Sequence, residues 1–148
     1  MLYGCDRVWW QQYCPKFDGL CFSAEPSEQP GVVLLQVDAN ISGLSKDPSM
    51  IFAGSNGGHQ VMNLAFHLGA ARIVLIGYDM KPATDGAKHW HSVHPTGLNN
   101  PDEHTFARWI PALGAIATDL EAAGVEVINC SLDTALTCFP RARLEDVL

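Results

Sequence analysis

A glycine-rich turn near the middle of the chain has the composition of an anion-binding site. It comprises Gly54, Ser55, Asn56, Gly57 and Gly58, and it leads directly into an apolar, helix-like stretch. Glycines allow backbone N–H groups to approach a ligand closely, and the start of a helix carries partial positive charge that stabilises a phosphate or a carboxylate. The spacing matches neither a dinucleotide-binding fingerprint nor a phosphate-binding P-loop, so the pattern is equally typical of a purely structural turn.

A histidine-rich loop further along the chain supplies groups for acid–base chemistry. His89, His91 and His94 lie there beside Lys88 and Trp90. In an extended segment His89 and His91 point to the same side, and an imidazole with its ordinary pKa of about 6.5 can accept a proton at neutral pH. A catalytic or ligand-binding role and a set of solvated loop histidines both fit. The spacing of the three rings satisfies zinc ligation only loosely.

Polar residues also follow two of the predicted strands, where open α/β sheets bind their ligands. Asp79 follows a buried strand, where it would accept hydrogen bonds from a sugar hydroxyl, hold a metal, or only cap the next turn. Asn129 and Ser131 end the last strand, and Ser131 would contact a ligand or cap a short helix. His59, in the first turn after the glycines, is expected to face the same ligand. No serine has the flanking glycines of a hydrolase nucleophile.

Strands and helices alternate along the chain, which predicts an α/β fold with a mostly parallel sheet. A long stretch without periodicity, residues 81–100, is predicted to be a functional loop. Pro111 is expected to kink the longest helix, whose predicted cap is Asn100. The predicted strands are 2–5, 20–23, 31–37, 72–77 and 125–130, and the predicted helices are 7–13, 58–68, 101–123 and 134–139.

Size and composition restrict the class of protein. The 148 residues predict a single domain over 1–148, and 47% apolar against 17% charged residues is a globular composition. The net charge of -7 argues against nucleic acid as a partner. No apolar run is long enough to predict a membrane span, and no signal peptide is recognisable, so we expect a cytoplasmic protein. Five cysteines without metal-binding spacing are expected to be reduced thiols.

The order and spacing of four segments resemble glycosyltransferase family 42, the bacterial sialyltransferases. The chain is similar as well to motility-associated glycosyltransferases, to archaeal 6-hydroxymethyl-dihydropterin pyrophosphokinases, and in particular to short members of that superfamily from phages and prophages. The resemblance covers most of the chain and is strongest from Gly54 to Pro140. Its segments are Asn56-Gly57 in the turn, Gly69 through Asp79, His91, and Cys130-Ser131 followed by residues 135–140.

The resemblance implies a Rossmann-like domain with helices on both faces and a sugar nucleotide, such as a CMP-sugar, as donor. In the sialyltransferases the region matching Gly54 to Gly58 lies against the sugar nucleotide, and the strand end matching Asn129 to Ser131 helps to hold it, with Asp79 nearby. A loop histidine acts as general base and deprotonates the acceptor hydroxyl. His91 is the nearest positional match for that base and His94 the second. A pyrophosphokinase relative would instead use ATP and Mg²⁺.

The chain departs from the family pattern at its beginning. Family members usually begin with a strand and a glycine-proline-serine turn that grips the nucleotide phosphates, whereas Met1 to Asp6 resembles the segment after both. The resemblance therefore implies a sheet that lacks one or two N-terminal strands and exposes an apolar edge, which a homodimer would cover. A second hypothesis follows, in which the chain is a non-catalytic binding module or a dimeric remnant of the fold.

Overall fold

The computed structural model describes residues 1–14, 16–40, 42–89, 93–94 and 98–148, which contain both helices and parallel strands. The predicted α/β class is therefore confirmed. The helices are α1 (Arg7–Gln12), α2 (Gly57–His67) and α3 (Glu103–Ala122), with a 3-10 turn at Leu144–Asp146. The strands are β1 (Leu2–Gly4), β2 (Cys21–Ser23), β3 (Val32–Leu34), β4 (Gln36–Asp38), β5 (Met50–Phe52), β6 (Arg72–Leu75) and β7 (Glu126–Asn129).

Every strand ladder in the described part of the chain is parallel. Strands β1, β2 and β3 lie side by side in that order, β4 pairs with β5, and β6 pairs with β7. Only Leu35 separates β3 from β4, so the strand predicted over 31–37 is present but interrupted. Parallel pairing brings the carboxyl ends of paired strands to the same edge of the sheet. The candidate residues that follow the strands therefore lie at that edge.

The main apolar core lies between α2, α3 and the β6–β7 pair. Met62 of α2 and Leu113, Ile116 and Leu120 of α3 are completely buried. The α3 residues recur at the spacing of one helix face, as the apolar periodicity predicts. Helix α3 runs without a break through Pro111, whose side chain is exposed. The core therefore fixes α2 and the β6–β7 pair, and these elements carry the candidate site.

Strand β5, which the sequence pattern did not predict, is held by one buried amide. The Oδ1 atom of Asn63 accepts hydrogen bonds from the backbone N–H of Ser45 at 3.0 Å and of Phe52 at 3.1 Å. Its Nδ2 donates to the backbone oxygen of Ser45 at 3.0 Å. Asn63 is 0% exposed, so α2, the loop before β5 and β5 itself are fastened together away from water.

The start of α3 differs from the prediction. Asp102, and not Asn100, is the cap: its Oδ1 accepts from the backbone N–H of Thr105 at 2.8 Å and from the Thr105 hydroxyl at 2.6 Å. An aspartate directly before the first turn satisfies the free N–H groups there, so the helix begins at Glu103. Asn100 instead accepts a hydrogen bond from the backbone N–H of His94 at 2.8 Å.

The short helix predicted over residues 134–139 was wrong, since that segment contains no helix. The Thr134 hydroxyl donates to the backbone oxygen of Tyr78 at 2.6 Å and accepts from the backbone N–H of Leu136 at 3.0 Å. The backbone N–H of Ala135 donates to the backbone oxygen of Asp79 at 2.7 Å. These bonds to the loop after β6 take the place of a helical turn.

Candidate functional site

The glycine-rich turn is a tight cap on α2. Gly54 and Ser55 both have left-handed backbones, with φ of 56° and 59°, and Asn56 caps the helix by accepting a hydrogen bond from the His59 N–H at 3.0 Å. A Cβ atom on Gly54 would lie only 2.0 Å from Cγ of His59. Glycine is therefore required at position 54 for both backbone conformation and space.

His59 lies underneath this turn and does not face a ligand, contrary to expectation. Its side chain is 0% exposed, and neither ring nitrogen has a hydrogen-bond partner among the described residues. Burial lowers the pKa of His59 to about 4, and the backbone of Gly43 and Phe52 near the ring opposes that effect only in part. The ring is therefore neutral at pH 7 and acts as packing material for the turn.

Tyr78, just after β6, connects the turn to the strand ends. Its hydroxyl donates to the backbone oxygen of Gly58 at 3.1 Å, and a Cβ atom on Gly58 would lie 2.8 Å from Cε1 of the Tyr78 ring. The backbone N–H of Tyr78 donates to Oγ of Ser131 at 2.8 Å. Burial raises the pKa of Tyr78, so its hydroxyl remains a donor. The turn, β6 and β7 thus form one connected unit.

A cavity of about 630 Å³ opens beside the turn, and we call it the glycine-turn pocket. It is formed by the turn, the segment after β1 with Trp9 of α1, the histidine loop and the first turns of α3, and its lining is somewhat more polar than apolar. Of the candidate residues, the structure brings five to this pocket: Ser55, Asn56, Gly57, His89 and His94.

The histidine loop closes one side of the glycine-turn pocket. The rings of His89 and His94 lie with their centroids 4.0 Å apart and their planes inclined by 48°. Both residues line the pocket, and Asn100 fixes the backbone of His94 there. His91, the first candidate for the general base, lies outside the described residues.

Several residues of this pocket were not predicted as site residues. Arg108 of α3 contributes a positive charge, and Trp109 presents an indole whose buried Nε1 has no hydrogen-bond partner in the part of the chain that the structure describes. Asp6 lies two residues after the end of β1, and this position near a strand end was the signal that sequence reasoning passed over. Arg108 and Trp109 gave no such signal, because only the packing of α3 brings them to the turn.

The end of β1 is fastened to α2 beside the same pocket. The Tyr3 hydroxyl donates to Oε1 of Gln60, and Nε2 of Gln60 donates to the backbone oxygen of Ala53 at 2.8 Å. Burial, reinforced by the carboxylate of Asp6, raises the pKa of Cys5 to about 12. The Cys5 thiol is therefore protonated at neutral pH and unsuited to nucleophilic chemistry.

A second cavity, of about 620 Å³, lies at the carboxyl ends of β6 and β7, and we call it the strand-end pocket. Asp79, Ser131 and His89 line it. Partial burial and the nearby carboxylate of Asp133 raise the pKa of Asp79, while Lys81 opposes them. The neighbouring residue Met80 has a left-handed backbone with φ of 51°. Such a backbone is costly in a non-glycine residue and is often found beside functional sites.

Asn129 stabilises the part of this pocket that contains Ser131. It is 0% exposed, its Oδ1 accepts from the backbone N–H of Ser131 at 3.0 Å, and its Nδ2 donates to the Thr134 hydroxyl at 3.4 Å. Arg141 adds hydrogen bonds from Nη2 to the backbone oxygens of Ser131 at 2.9 Å and Leu132 at 3.0 Å. Asn129 therefore orients Ser131.

The structure bears on three further expectations, which concern metal binding by the loop histidines, the state of the cysteines and the membrane span. Among the described residues, which include His89 and His94 but not His91, no group of three or more potential ligands is arranged to hold a metal ion. All five cysteines are free thiols. Within the same residues, no helix combines the length and the apolar character needed to cross a membrane.

Comparisons with protein-family models, with curated proteins and with solved structures found no match to this chain.

Proposed function

We propose that the protein is a glycosyltransferase-like enzyme that binds a sugar nucleotide in the glycine-turn pocket and uses a loop histidine as general base. The observation that carries the proposal is that the turn and His94 line one cavity of about 630 Å³, although Asn56 and His94 are 38 positions apart in sequence. A volume of that size suits a nucleotide-sized ligand.

The electrostatics of the pocket support an anionic ligand held by backbone groups. The first N–H groups of α2 have no partner within the helix, and the Asn56 side chain takes only that of His59. Arg108 lines the pocket together with the carboxylates of Asp6 and Asp102, and that of Asp102 is already engaged by Thr105. A phosphate at this helix start would be stabilised by the helix dipole and by Arg108.

The chemistry we propose is deprotonation of an acceptor hydroxyl by His91 or His94 as that hydroxyl attacks the anomeric carbon. An imidazole of ordinary pKa is well matched to this task at neutral pH. The sheet would be Rossmann-like, with helices on both faces and its ligand at the carboxyl ends of the parallel strands. A pyrophosphokinase relative would bind ATP in the same pocket, and its binding would require Mg²⁺.

The first test is ligand-induced thermal stabilisation with CMP, CDP, ATP and sugar nucleotides, each with and without Mg²⁺. A bound nucleotide raises the melting temperature in proportion to the logarithm of its concentration. Arg108→Gln should weaken that effect, whereas Arg143→Gln, an exposed arginine near the C-terminus, should not change it. An ATP effect that depends on Mg²⁺ would favour the pyrophosphokinase version.

The second test separates the enzyme from a non-catalytic binding module. His91→Ala and His94→Ala should each be assayed for nucleotide binding and for transfer. The base is the histidine whose removal abolishes transfer and leaves binding intact. Binding without transfer in the unaltered protein would favour the binding module. No stabilisation by any nucleotide at millimolar concentration would reject both the glycosyltransferase and the pyrophosphokinase.

A further inference from the structure

The strand-end pocket has walls of a different character from those of the glycine-turn pocket. Two large apolar side chains at its rim are left uncovered: Ile76 is 62% exposed and Leu132 is 100% exposed. Ile76 follows β6 directly, and Leu132 lies three residues after the end of β7. Exposed apolar side chains at the rim of a cavity provide a surface for the apolar face of a ligand.

The described lining of the strand-end pocket contains no helix start that would stabilise a phosphate, and its charged residues are net negative. Lys81 and Lys88 face the carboxylates of Asp79, Asp85 and Asp133, so two positive charges against three negative charges leave the lining at -1. Lys81 is already paired with Asp133 at 2.7 Å. Carboxylates accept hydrogen bonds from hydroxyl groups, and apolar walls pack against C–H groups. A neutral sugar ring presents both kinds of surface.

One residue belongs to both cavities. Among the described residues, His89 alone lines the glycine-turn pocket and the strand-end pocket. A molecule in each pocket would therefore contact His89.

We propose that the strand-end pocket is a second ligand site, which takes a neutral, hydroxyl-rich acceptor of the sugar class and shares His89 with the nucleotide site. Its role as acceptor site rests on the proposed function, because transfer requires a donor in the glycine-turn pocket. Asp79 hydrogen-bonds the acceptor hydroxyls, and Leu132 packs against its apolar face.

The test follows backbone amide and histidine ring resonances of the full chain during separate titrations with lactose and with CMP. Lactose should shift the amides of Asp79 and Ser131, CMP should shift the amide of Gly57, and each should shift the ring signals of His89. The ring of the exposed His104, which lines neither pocket, should move with neither probe.

Two variants locate the sugar without risk to the fold. Leu132→Ser alters a side chain that is fully exposed, and Asp79→Asn keeps the shape of the side chain while removing its charge. Each should weaken lactose binding by about fivefold or more, as expected for the loss of one contact or hydrogen bond. The matched controls Leu148→Ser and Asp18→Asn lie outside both pockets and should leave the affinity unchanged.

The outcomes separate this inference from the proposed function. No lactose shift at Asp79 and Ser131, or a CMP shift there in place of the lactose shift, would overturn the acceptor site. If only one probe shifted the ring signals of His89, the proposal that the two sites share this residue would be wrong. Lactose shifts without a CMP shift at Gly57 would support the sugar site and reject the nucleotide proposal instead.

Discussion

The contact between Gly54 and His59 decides the shape of the glycine-rich turn at the scale of single residues. The turn has no freedom to accept a side chain there, because the ring of His59 fills the space where a Cβ atom would stand. Ser55, with its own left-handed φ of 59°, then follows directly. The sequence indicated a turn through its glycines but gave no sign that a histidine supports it from inside.

Replacing Gly54 by alanine should therefore destabilise the protein by about 3 kcal/mol, measured by chemical denaturation. The cost combines a left-handed backbone with an overpacked contact against His59. Gly69→Ala is the matched control, since Gly69 also has a positive φ, of 82°, but nothing lies within 4 Å of the added Cβ. That variant should lose only about 1 kcal/mol. Equal losses in the two variants would contradict the His59 contact.

The buried ring of His59 should also make stability depend on pH. In the unfolded chain its pKa is 6.5, and in the folded protein it is about 4. The unfolded state thus takes up a proton first as the pH falls, so the contribution is complete above pH 6.5 and is lost progressively down to about pH 4. The full loss amounts to about 3 kcal/mol.

His59→Phe removes this titration while keeping a ring of similar size. We expect that the free energy of unfolding of this variant will fall less steeply between pH 6.5 and pH 4 than that of the parent. His104→Gln, which alters an exposed histidine, should retain the parent's slope. If the phenylalanine variant showed the parent's slope as well, the buried neutral imidazole would not be its source.

At the scale of elements, Asn63 shows that one side chain can hold a strand that has no recognisable sequence pattern. Strand β5 has only three residues, too few for a recognisable alternation, and it pairs only with β4 in the described part of the chain. The hydrogen bonds from Asn63 to Ser45 and Phe52 stabilise β5 despite its short length. Apolar periodicity located α2 correctly, but it could not reveal that a polar residue of α2 holds a strand.

Asn63→Leu should cost about 4 kcal/mol in the free energy of unfolding, because it leaves two backbone N–H groups and one backbone oxygen buried without partners. Hydrogen exchange should show the amides of Ser45 and Phe52 losing protection before the rest of the core. Asn99→Leu, at an exposed position, is the control and should change little. Unchanged protection at Phe52 would show that β5 does not depend on the amide.

The predictions from sequence succeeded where neighbouring residues determine the local structure, and they failed where residues distant in sequence determine it. Continuous apolar runs identified β6 and β7, and the glycines that end α2 and α3 were placed correctly, since Gly69 and Gly124 have φ of 82° and 79°. The segment after β7 was mistaken for a helix because the bond from Thr134 to Tyr78 joins residues 56 positions apart. The candidate residues likewise divide between two pockets because tertiary packing separates them.

At the scale of the whole molecule, the outer edge of β1 is unpaired among the described residues and offers a surface for assembly. Strand β1 stands at one end of its three-stranded sheet. Its Leu2 N–H and Gly4 oxygen bond towards β2, so Tyr3 directs its backbone N–H and oxygen to the opposite side. Such an edge invites pairing with another strand. We propose that two copies of the chain pair through β1 across a two-fold axis.

This proposal predicts a dimer in sedimentation equilibrium and a monomer for Leu2→Lys. A lysine on an edge strand opposes pairing because two copies would bring like charges together and would have to desolvate them. Leu148→Lys, at a tail position that is 93% exposed, adds the same charge away from the edge and should remain dimeric. Thermal unfolding of each variant checks that the fold is retained. A parent protein that sediments as a monomer at the highest soluble concentration would rule out the dimer, and a dimeric Leu2→Lys variant would move its interface away from β1.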